Sequence, residues 1–208
     1  MDGRALRAKK LRDARRIAIL KTARKLFATV GYQAVSIADI IEAADIARGT
    51  FYLHFETKQE LFGELLDGLV AALRAVMNKV DVSSTVPPFE QLVANVERLI
   101  GVLSDNADIA RLVLRKDAGG DTKLEKKLEE FHEHALLMIS DSISAGRRMG
   151  LVRKDLSLQL AAVCALGSIK EAMERLLLDE SLSRRSRNAF AREILDLNFH
   201  GLLAAHQS

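Results

Sequence analysis

The chain has 208 residues, of which 49% are hydrophobic, so it can bury the core of one large domain or two small ones. Its single cysteine, Cys164, cannot form an internal disulfide, and no Cys/His spacing typical of structural zinc is present. The N-terminus is charged and no apolar run reaches membrane-spanning length, which argues against a signal peptide, a membrane span and a membrane partner. We therefore expect a cytoplasmic protein in a reducing compartment.

The net charge of +3 is distributed unevenly along the chain. Residues 1 to 58 contain twelve Lys or Arg and six Asp or Glu, a net charge of +6, whereas the remaining 150 residues carry −3. The basic residues are densest in RALRAKKLRDARR, residues 4 to 16, where seven Lys or Arg accompany one Asp. This asymmetry predicts a polyanionic partner for the N-terminal end.

The composition favours an all-α fold, because Ala, Leu, Glu, Lys and Arg dominate and proline occurs only at positions 87 and 88. The first helix is predicted from about residue 13 to 30, where apolar residues recur every three or four positions until Gly31 ends the pattern. Its predicted buried face consists of Ile17, Leu20, Ala23, Phe27 and Val30.

Two short helices are predicted next. Ser36 and Asp39 have the spacing of an N-terminal capping pair, which indicates a helix that begins there and runs to Ala44. A second short helix is predicted from Arg48 to His54, after a turn of a few residues. Two short helices joined in this way predict a helix-turn-helix.

A long helix is predicted to follow, with Thr57 and Glu60 as a second capping pair at its start. Beyond the turn sequence DVSSTVPP at residues 81 to 88, apolar helical patterns indicate further helices, at residues 89–104, 107–117, 122–148, 155–179 and 184–205. The sequence therefore predicts about nine helices.

The heptapeptide GTFYLHF, residues 49 to 55, concentrates aromatic residues in a chain that has only eight Phe and two Tyr. Phe51 and Phe55 are four apart and are predicted to pack inward, whereas Tyr52 and His54 are predicted to face away from the core. The N-terminal end of this helix offers backbone amides and a guanidinium that suit a phosphate or a base edge. The residues at that end are Arg48, Gly49 and Thr50.

These features resemble the DNA-binding domain of the TetR family of bacterial transcriptional regulators. The family pattern has Leu-Phe-x-x-x-Gly-Tyr at the end of helix one, a Ser or Thr cap before helix two, Gly-Thr-Phe-Tyr-x-His-Phe in the recognition helix and a Lys that opens helix four. The matching residues here are Leu26, Phe27, Gly31, Tyr32, Ser36, Gly49 to Tyr52, His54, Phe55 and Lys58. The resemblance implies a homodimer whose recognition helices enter successive major grooves of a palindromic operator in double-stranded DNA, at the bacterial nucleoid.

The resemblance also implies DNA contacts by position. Base edges would be reached by Arg48 and Thr50, and Gly49 would let the backbone come close. Phosphates would be held by Ser36, Tyr52, His54 and Lys58.

Two positions depart from the family pattern. Asp45 stands where the family usually has the turn glycine, and Asp tolerates the left-handed turn geometry. Ala47 stands where a Ser or Thr usually caps the recognition helix, and losing that cap costs about 1 kcal/mol.

The C-terminal part contains the stretch LSLQLAAVCALGSI, residues 156 to 169, which is apolar on nearly every side of a helix. Such a helix must be covered on two sides, so we predict a homodimer formed through the last two helices, as in the family.

A largely apolar small-molecule effector is expected in the C-terminal part, by analogy with the family. The candidate ligand-binding residues are polar or soft groups among apolar stripes: Arg98, His132, Met138, Cys164 and Glu171. Alternative interpretations are that Cys164 is a buried small hydrophobe and that Glu171 forms an ion pair with Arg175. His132 and His134 face differently on one helix, so we predict no metal site.

The sequence contains no readable motif of enzymatic chemistry, so we predict no catalytic residues, no cofactor and no enzyme activity. The predicted organisation is a basic arm at 1–12, a helix-turn-helix domain at 13–73 with its motif at 36–55, and a ligand-binding and dimerisation domain at 74–208. The arm could extend helix one, enter the minor groove or act only as a solubility tail.

The predicted function is a ligand-responsive repressor that binds a palindromic operator and is released by its effector. One alternative is a constitutive or activating regulator without effector response. Another is an all-helical protein that binds small molecules or lipids and whose basic N-terminus meets a membrane.

Overall fold

A computed structural model describes residues 3–115, 120–178 and 184–200 of the chain. The regular structure in these ranges is entirely helical, which confirms the predicted fold class. The helices are α1 (Gly3–Thr29), α2 (Ile37–Ala43), α3 (Arg48–Tyr52), α4 (Lys58–Val76), α5 (Pro88–Asp105), α6 (Ala107–Arg115), α7 (Thr122–Arg148), α8 (Leu158–Leu178) and α9 (Arg184–His200). No helix within these ranges combines the length and the hydrophobicity needed to cross a bilayer.

The basic N-terminal segment continues α1, which is helical from Gly3 onward. Of the two conformations considered for it, the structure has the helical extension. The buried face of α1 consists of Ile19, Ala23 and Phe27. The predicted face was wrong at both ends, because Ile17 is 64% exposed and Val30 is 57% exposed.

Capping side chains begin both α2 and α4. The Ser36 hydroxyl accepts a hydrogen bond from the Asp39 amide, and the Asp39 carboxylate accepts one from the Ser36 amide, so the predicted capping box is present. Thr57 likewise accepts from the Glu60 amide, at 3.1 Å. The Glu60 carboxylate, however, accepts from the Glu56 amide rather than from Thr57, so the second capping box is only half formed.

One hydrophobic cluster joins the N-terminal helices to α6 and α7. Aromatic rings of Phe27, Tyr32 and Phe62 form its centre, with centroids 5.1 to 6.1 Å apart. Ile109 and Val113 of α6 and Leu124 and Leu128 of α7 belong to the same cluster. The helix-turn-helix therefore shares its core with α6 and α7 and is not an independently packed unit.

A second cluster holds the C-terminal helices together. It contains buried residues of α5, α8 and α9: Val93, Val96, Ile100, Met173, Leu176, Ala191, Ile194 and Leu195. Ile194 of α9 is 7% exposed and packs within the protomer.

Polar contacts also connect the helix-turn-helix to α6 and α7. Arg24 of α1 donates to the Asp108 carboxylate in the first turn of α6, with an Nε–Oδ2 distance of 2.7 Å, and to the carbonyl of Asp105. Asp121, the N-cap of α7, accepts from the amide Nε2 of Gln59 at 2.6 Å and from the Tyr32 hydroxyl at 3.4 Å. These contacts join α1, α4 and the loop after α1 to the end of α5 and the starts of α6 and α7, in the larger part of the molecule, which α5 to α9 form.

Candidate nucleic-acid interface and effector cavity

The turn between α2 and α3 is closed by Asp45, whose φ of 52° lies in the left-handed region. Asp is among the few residues with a side chain that adopt this conformation readily, so the expected tolerance at this position is confirmed. Ala47 is the N-cap of α3 and its methyl group makes no capping hydrogen bond.

The outer face of α3 presents polar and aromatic groups to solvent. Arg48 and Gly49 are exposed, Thr50 is half-buried and Tyr52 is 44% exposed. The Arg48 guanidinium carbon lies 5.8 Å from the centroid of the Tyr52 ring, so the two side chains lie together on this face. Phe51, on the opposite side, is fully buried.

Neither the backbone conformation nor the packing of the protomer requires a glycine at position 49. Its φ is not positive, and a Cβ atom built on it would meet no other atom within 4 Å. Glycine inside a helix costs about 0.5–1 kcal/mol relative to alanine. The missing side chain therefore leaves open space on the outer face of α3.

Two arginines of α1 hold the C-terminal end of α3. Arg16 donates to the carbonyl of His54 at 2.6 Å, pairs with the Glu64 carboxylate and lies 4.3 Å from the centroid of the Phe55 ring. One turn earlier, Arg12 lies 3.4 Å from the carbonyl oxygen of Leu53. Sequence reasoning missed these roles, although both arginines are four apart on one face of α1.

A cavity of about 180 Å³ lies among α4, α5, α6, α7 and α8. Most of its wall is aliphatic or aromatic, including Leu73, Val113 and Phe131. The polar members of the described lining are His132, His134, Ser142 and Lys170. Ser142 donates to the carbonyl of Met138, and one ring nitrogen of His134 lies 2.7 Å from the Glu130 carbonyl oxygen.

The family model described as "Bacterial regulatory proteins, tetR family" matches residues 19–65, from the buried half of α1 into α4. Residues 19–65 are therefore a helix-turn-helix DNA-binding domain of the TetR type. The chain that carries this domain is a DNA-binding transcriptional regulator.

Relatives match over most of the chain. The "Uncharacterized HTH-type transcriptional regulator YdgC" of Bacillus subtilis (strain 168) is 23% identical over 194 residues, which cover 89% of this chain and 91% of that protein. The "HTH-type transcriptional repressor KstR2" of Mycobacterium tuberculosis is 28% identical over 151 residues, 71% of this chain and 74% of the repressor.

Solved TetR-family structures share the fold. A regulator from Syntrophomonas wolfei has a TM-score of 0.78 at 21% identity, over 93% of this chain and 99% of its own. FadR from Bacillus subtilis, crystallised in complex with stearoyl-CoA, has a TM-score of 0.75 at 19% identity and covers 90% of this chain and 99% of its own.

His54 lies inside the TetR-type domain rather than on its surface, so its predicted outward placement was wrong. The residue is 7% exposed, and its Nδ1 atom is buried without a hydrogen-bond partner in the described part of the chain. Burial lowers the pKa of His54, and the charges of Arg12, Arg16 and Arg15 lower it further. Its imidazole is therefore mostly neutral at pH 7, which does not suit a phosphate contact.

Lys58 also points inward. Its ammonium donates to the carbonyls of Tyr32 and Val35, each at 2.8 Å, and lies 4.3 Å from the centroid of the Tyr32 ring. Burial lowers the pKa of Lys58, and the charge of Asp121 partly opposes that effect. In this structure Lys58 thus fixes the loop between α1 and α2, whereas Ser36 remains exposed.

The cavity brings together two of the five candidate ligand-binding residues, His132 and Met138. Arg98 instead donates to the Val76 carbonyl and to the side chain of Asn95. Cys164 is exposed on α8, so neither the ligand role nor the buried alternative describes its position. Glu171 forms an ion pair with Arg175 at 3.0 Å, as the alternative interpretation predicted. Lys170 and Ser142 were not predicted, because spacing alone does not show which side of α7 and α8 meets a void.

Proposed function

We propose that the protein is a repressor that binds a palindromic operator as a homodimer and is released by a small molecule in the cavity. The observation that carries the DNA-binding part is the outer face of α3, where Arg48, Thr50 and Tyr52 surround the open space at Gly49. An arginine fork suits a guanine edge or a phosphate, and a glycine lets the backbone approach the duplex. Ser36, one helix away, is proposed as a phosphate contact.

The proposed dimer forms through α8 and α9. Leu160 and Val163 of α8 are 58% and 49% exposed, and Leu197 of α9 is 42% exposed. The side chains of Ser168 and Asn198 hydrogen-bond at 3.0 Å and hold the two helices side by side. A second copy would bury this apolar face and would place two copies of α3 on one side of the assembly.

The proposed effector is a largely apolar molecule. The cavity wall is mostly apolar. Lys170 is the only Lys or Arg within its described lining, so it can pair with a single anionic or acceptor group on the molecule. FadR, a relative by fold, was crystallised with stearoyl-CoA. His132 and Met138 are retained as proposed contacts.

Specific operator binding is expected to fall by one to two orders of magnitude when Arg48 and Tyr52 are both replaced by alanine, because base and phosphate contacts are lost together. Genomic footprinting with the wild-type protein supplies the operator, and fluorescence anisotropy at fixed salt supplies the affinity. Urea unfolding should change little, because both side chains are exposed.

Equal operator affinity for the double variant and the wild type would contradict the proposed role of α3. If the wild type prefers no duplex over random sequence yet binds lipid vesicles, the membrane alternative holds instead. A protein that binds its operator but never responds to a small molecule would be the constitutive regulator.

Replacing Gly49 with alanine is expected to change stability and binding in opposite directions. The free energy of unfolding should rise by about 0.5–1 kcal/mol, because alanine favours helix and meets no atom there. Operator affinity should fall, because the new methyl group occupies the space in which the duplex approaches. Urea unfolding and anisotropy on one preparation test both; a stabilised variant with unchanged affinity would remove Gly49 from the interface.

Filling the cavity is expected to abolish the effector response and leave operator binding intact. Ala135 lines the cavity, so Ala135→Phe reduces its volume, whereas Leu137→Phe places the same side chain at a site of α7 that is 61% exposed. Native mass spectrometry should show a small molecule with the wild type and the Leu137 variant but not with the Ala135 variant. The same bound mass in all three proteins would place the effector elsewhere.

A further inference from the structure

The first ten described residues of α1, Gly3–Arg12, form a basic helical segment that we call the N-terminal extension. It carries five cations and no anion: Arg4, Arg7, Lys9, Lys10 and Arg12. All ten residues are exposed, and they precede the family match, which starts at residue 19. The core of the domain therefore gives no packing reason for this segment.

Contacts along α1 fix the direction in which the extension points. Near the C-terminal end, Arg24 contacts Asp108 at the start of α6. Farther toward the N-terminus, Arg16 contacts the His54 carbonyl and Arg12 the Leu53 carbonyl, just beyond α3. The helix thus passes from the larger part of the molecule to the end of α3, and the extension continues past α3 on the side remote from α6.

The nine residue-to-residue steps from Arg12 to Gly3 span about 14 Å of helix at 1.5 Å each. That length equals about four base pairs of duplex, each of which carries two phosphates. The positions of the five cations, at the periodicity of an α-helix, surround the helix axis rather than lie on one face. Cations consequently face a neighbouring duplex whichever side of the helix meets it.

We propose that the N-terminal extension binds phosphates of the operator outside the half-site that α3 contacts. The inference rests on the proposed operator binding by α3. Duplex DNA is the occupant that the charge and the position favour, because the extension projects from the end of α3 and carries only positive charge. A membrane surface is a poorer match, since interfacial helices separate an apolar face from a basic face, whereas Leu6 and Leu11 lie among the cations here.

The test is a thermodynamic cycle between the extension and the flanking DNA. The variant R4Q/R7Q/K9Q/K10Q in the full chain neutralises four of the five cations and is called the neutral variant; glutamine keeps a good helix propensity. Arg12 is retained, because it contacts the Leu53 carbonyl. The operator fragment from footprinting is prepared with ten extra base pairs on each side or cut flush with the half-sites.

Trimming the flanks is expected to weaken wild-type binding at least tenfold at 0.1 M salt and to leave the affinity of the neutral variant unchanged. On the long fragment, the slope of log affinity against log salt should flatten by about 0.9 for each phosphate contact that the variant loses. The matched control K123Q/K126Q/R148Q/K154Q removes four exposed cations of the larger part and should retain the flank dependence.

The inference is overturned if trimming affects the wild type and the neutral variant equally on an operator that both bind specifically. Binding of the wild type to vesicles of anionic phospholipid, lost in the neutral variant without any flank effect, would assign the cations to a membrane and overturn it as well. If neither protein prefers the operator over random duplex, operator binding itself fails, and the two failures are thereby distinguished. Circular dichroism and urea unfolding confirm that the variant is folded.

Discussion

Replacing Phe62 with alanine is expected to destabilise the protein by about 3–5 kcal/mol. The side chain is fully buried in α4, and its ring centroid lies 5.1 Å from that of Tyr32 and 6.1 Å from that of Phe27. Both contacts are edge-to-face, an arrangement that adds to the benefit of burial. The substitution leaves a cavity where α1, α4 and the loop after α1 meet, and α3 is held on this framework.

Urea unfolding of the full chain at one protomer concentration measures this loss, since dimerisation makes stability concentration-dependent. Leu53→Ala is the control: it removes an apolar side chain that is 71% exposed at the end of α3 and should change stability by less than about 0.5 kcal/mol. A loss below about 1 kcal/mol for Phe62→Ala would mean that the aromatic cluster does not support the domain. A loss in the expected range, with operator binding restored at low temperature, would show that Phe62 supports the folded domain and does not itself contact DNA.

Sequence reasoning succeeded where the determining interactions are local. The Ser36 capping box spans four residues, and the burial of Phe51 and Phe55 depends on one turn of backbone. Most helix ends were predicted to within a few residues, because caps and glycines act on their neighbours, but α1 begins ten residues before its predicted start. The family pattern added the identity of the helix-turn-helix.

His54 shows where local reasoning fails. Its outward placement assumed that the short helix continues to His54, but α3 ends at Tyr52 and Leu53 is its C-cap. His54 nevertheless lies three residues after Phe51, and the amides of His54 and Phe55 both donate to the Phe51 carbonyl, so this turn carries His54 to the same inward side as Phe55. The chain then turns toward α1, where the His54 carbonyl accepts from Arg16.

Lys58 shows a second kind of failure, because its partners are distant in sequence. It donates to carbonyls 26 and 23 residues away, in a loop whose path depends on the packing of α1 against α4. The cavity has the same origin, since it arises from the fit of five helices and not from any one pattern. Only the assembled fold identifies Lys170 as its cation.

Replacing Asp121 with alanine is expected to destabilise the protein by about 2–5 kcal/mol. The carboxylate caps α7 through the amides of Lys123 and Leu124, each at 3.1 Å, and losing an N-cap costs about 0.5–2 kcal/mol. It also accepts from Gln59 at 2.6 Å, and a hydrogen bond to a charged group contributes about 1.5–3 kcal/mol. Glu129→Ala, at an exposed site of the same helix, serves as the control and should be nearly neutral.

The same carboxylate makes the stability depend on acidity. Burial alone would raise the pKa of Asp121, but hydrogen bonds from Leu124, Gln59, Lys123 and Tyr32 outweigh it and lower the pKa below its usual value. Ionised Asp121 therefore stabilises the folded state fully above the unfolded-state pKa of about 4, and this contribution is lost as the pH falls through the lower folded-state value. Urea unfolding at pH 7 and at pH 3 should show that the gap between wild type and Asp121→Asn narrows in acid.

The variant Asp121→Asn distinguishes the capping of α7 by Asp121 from the contact of Asp121 with Gln59 and Tyr32. Asparagine caps a helix as well as aspartate does but carries no charge to attract Gln59 and Tyr32, so a purely local cap predicts that Asn behaves like the wild type. If the contact joins the helix-turn-helix to α7, the stability of Asp121→Asn should lie between those of the wild type and Asp121→Ala. Both variants should then weaken the effect of the cavity ligand on operator affinity. This follows because α7 lines the cavity through Phe131 and Met138 and reaches the DNA-binding helices at its N-cap. Unchanged coupling in both variants would leave the packed cluster of α6 and α7, rather than Asp121, as the connection between the two sites.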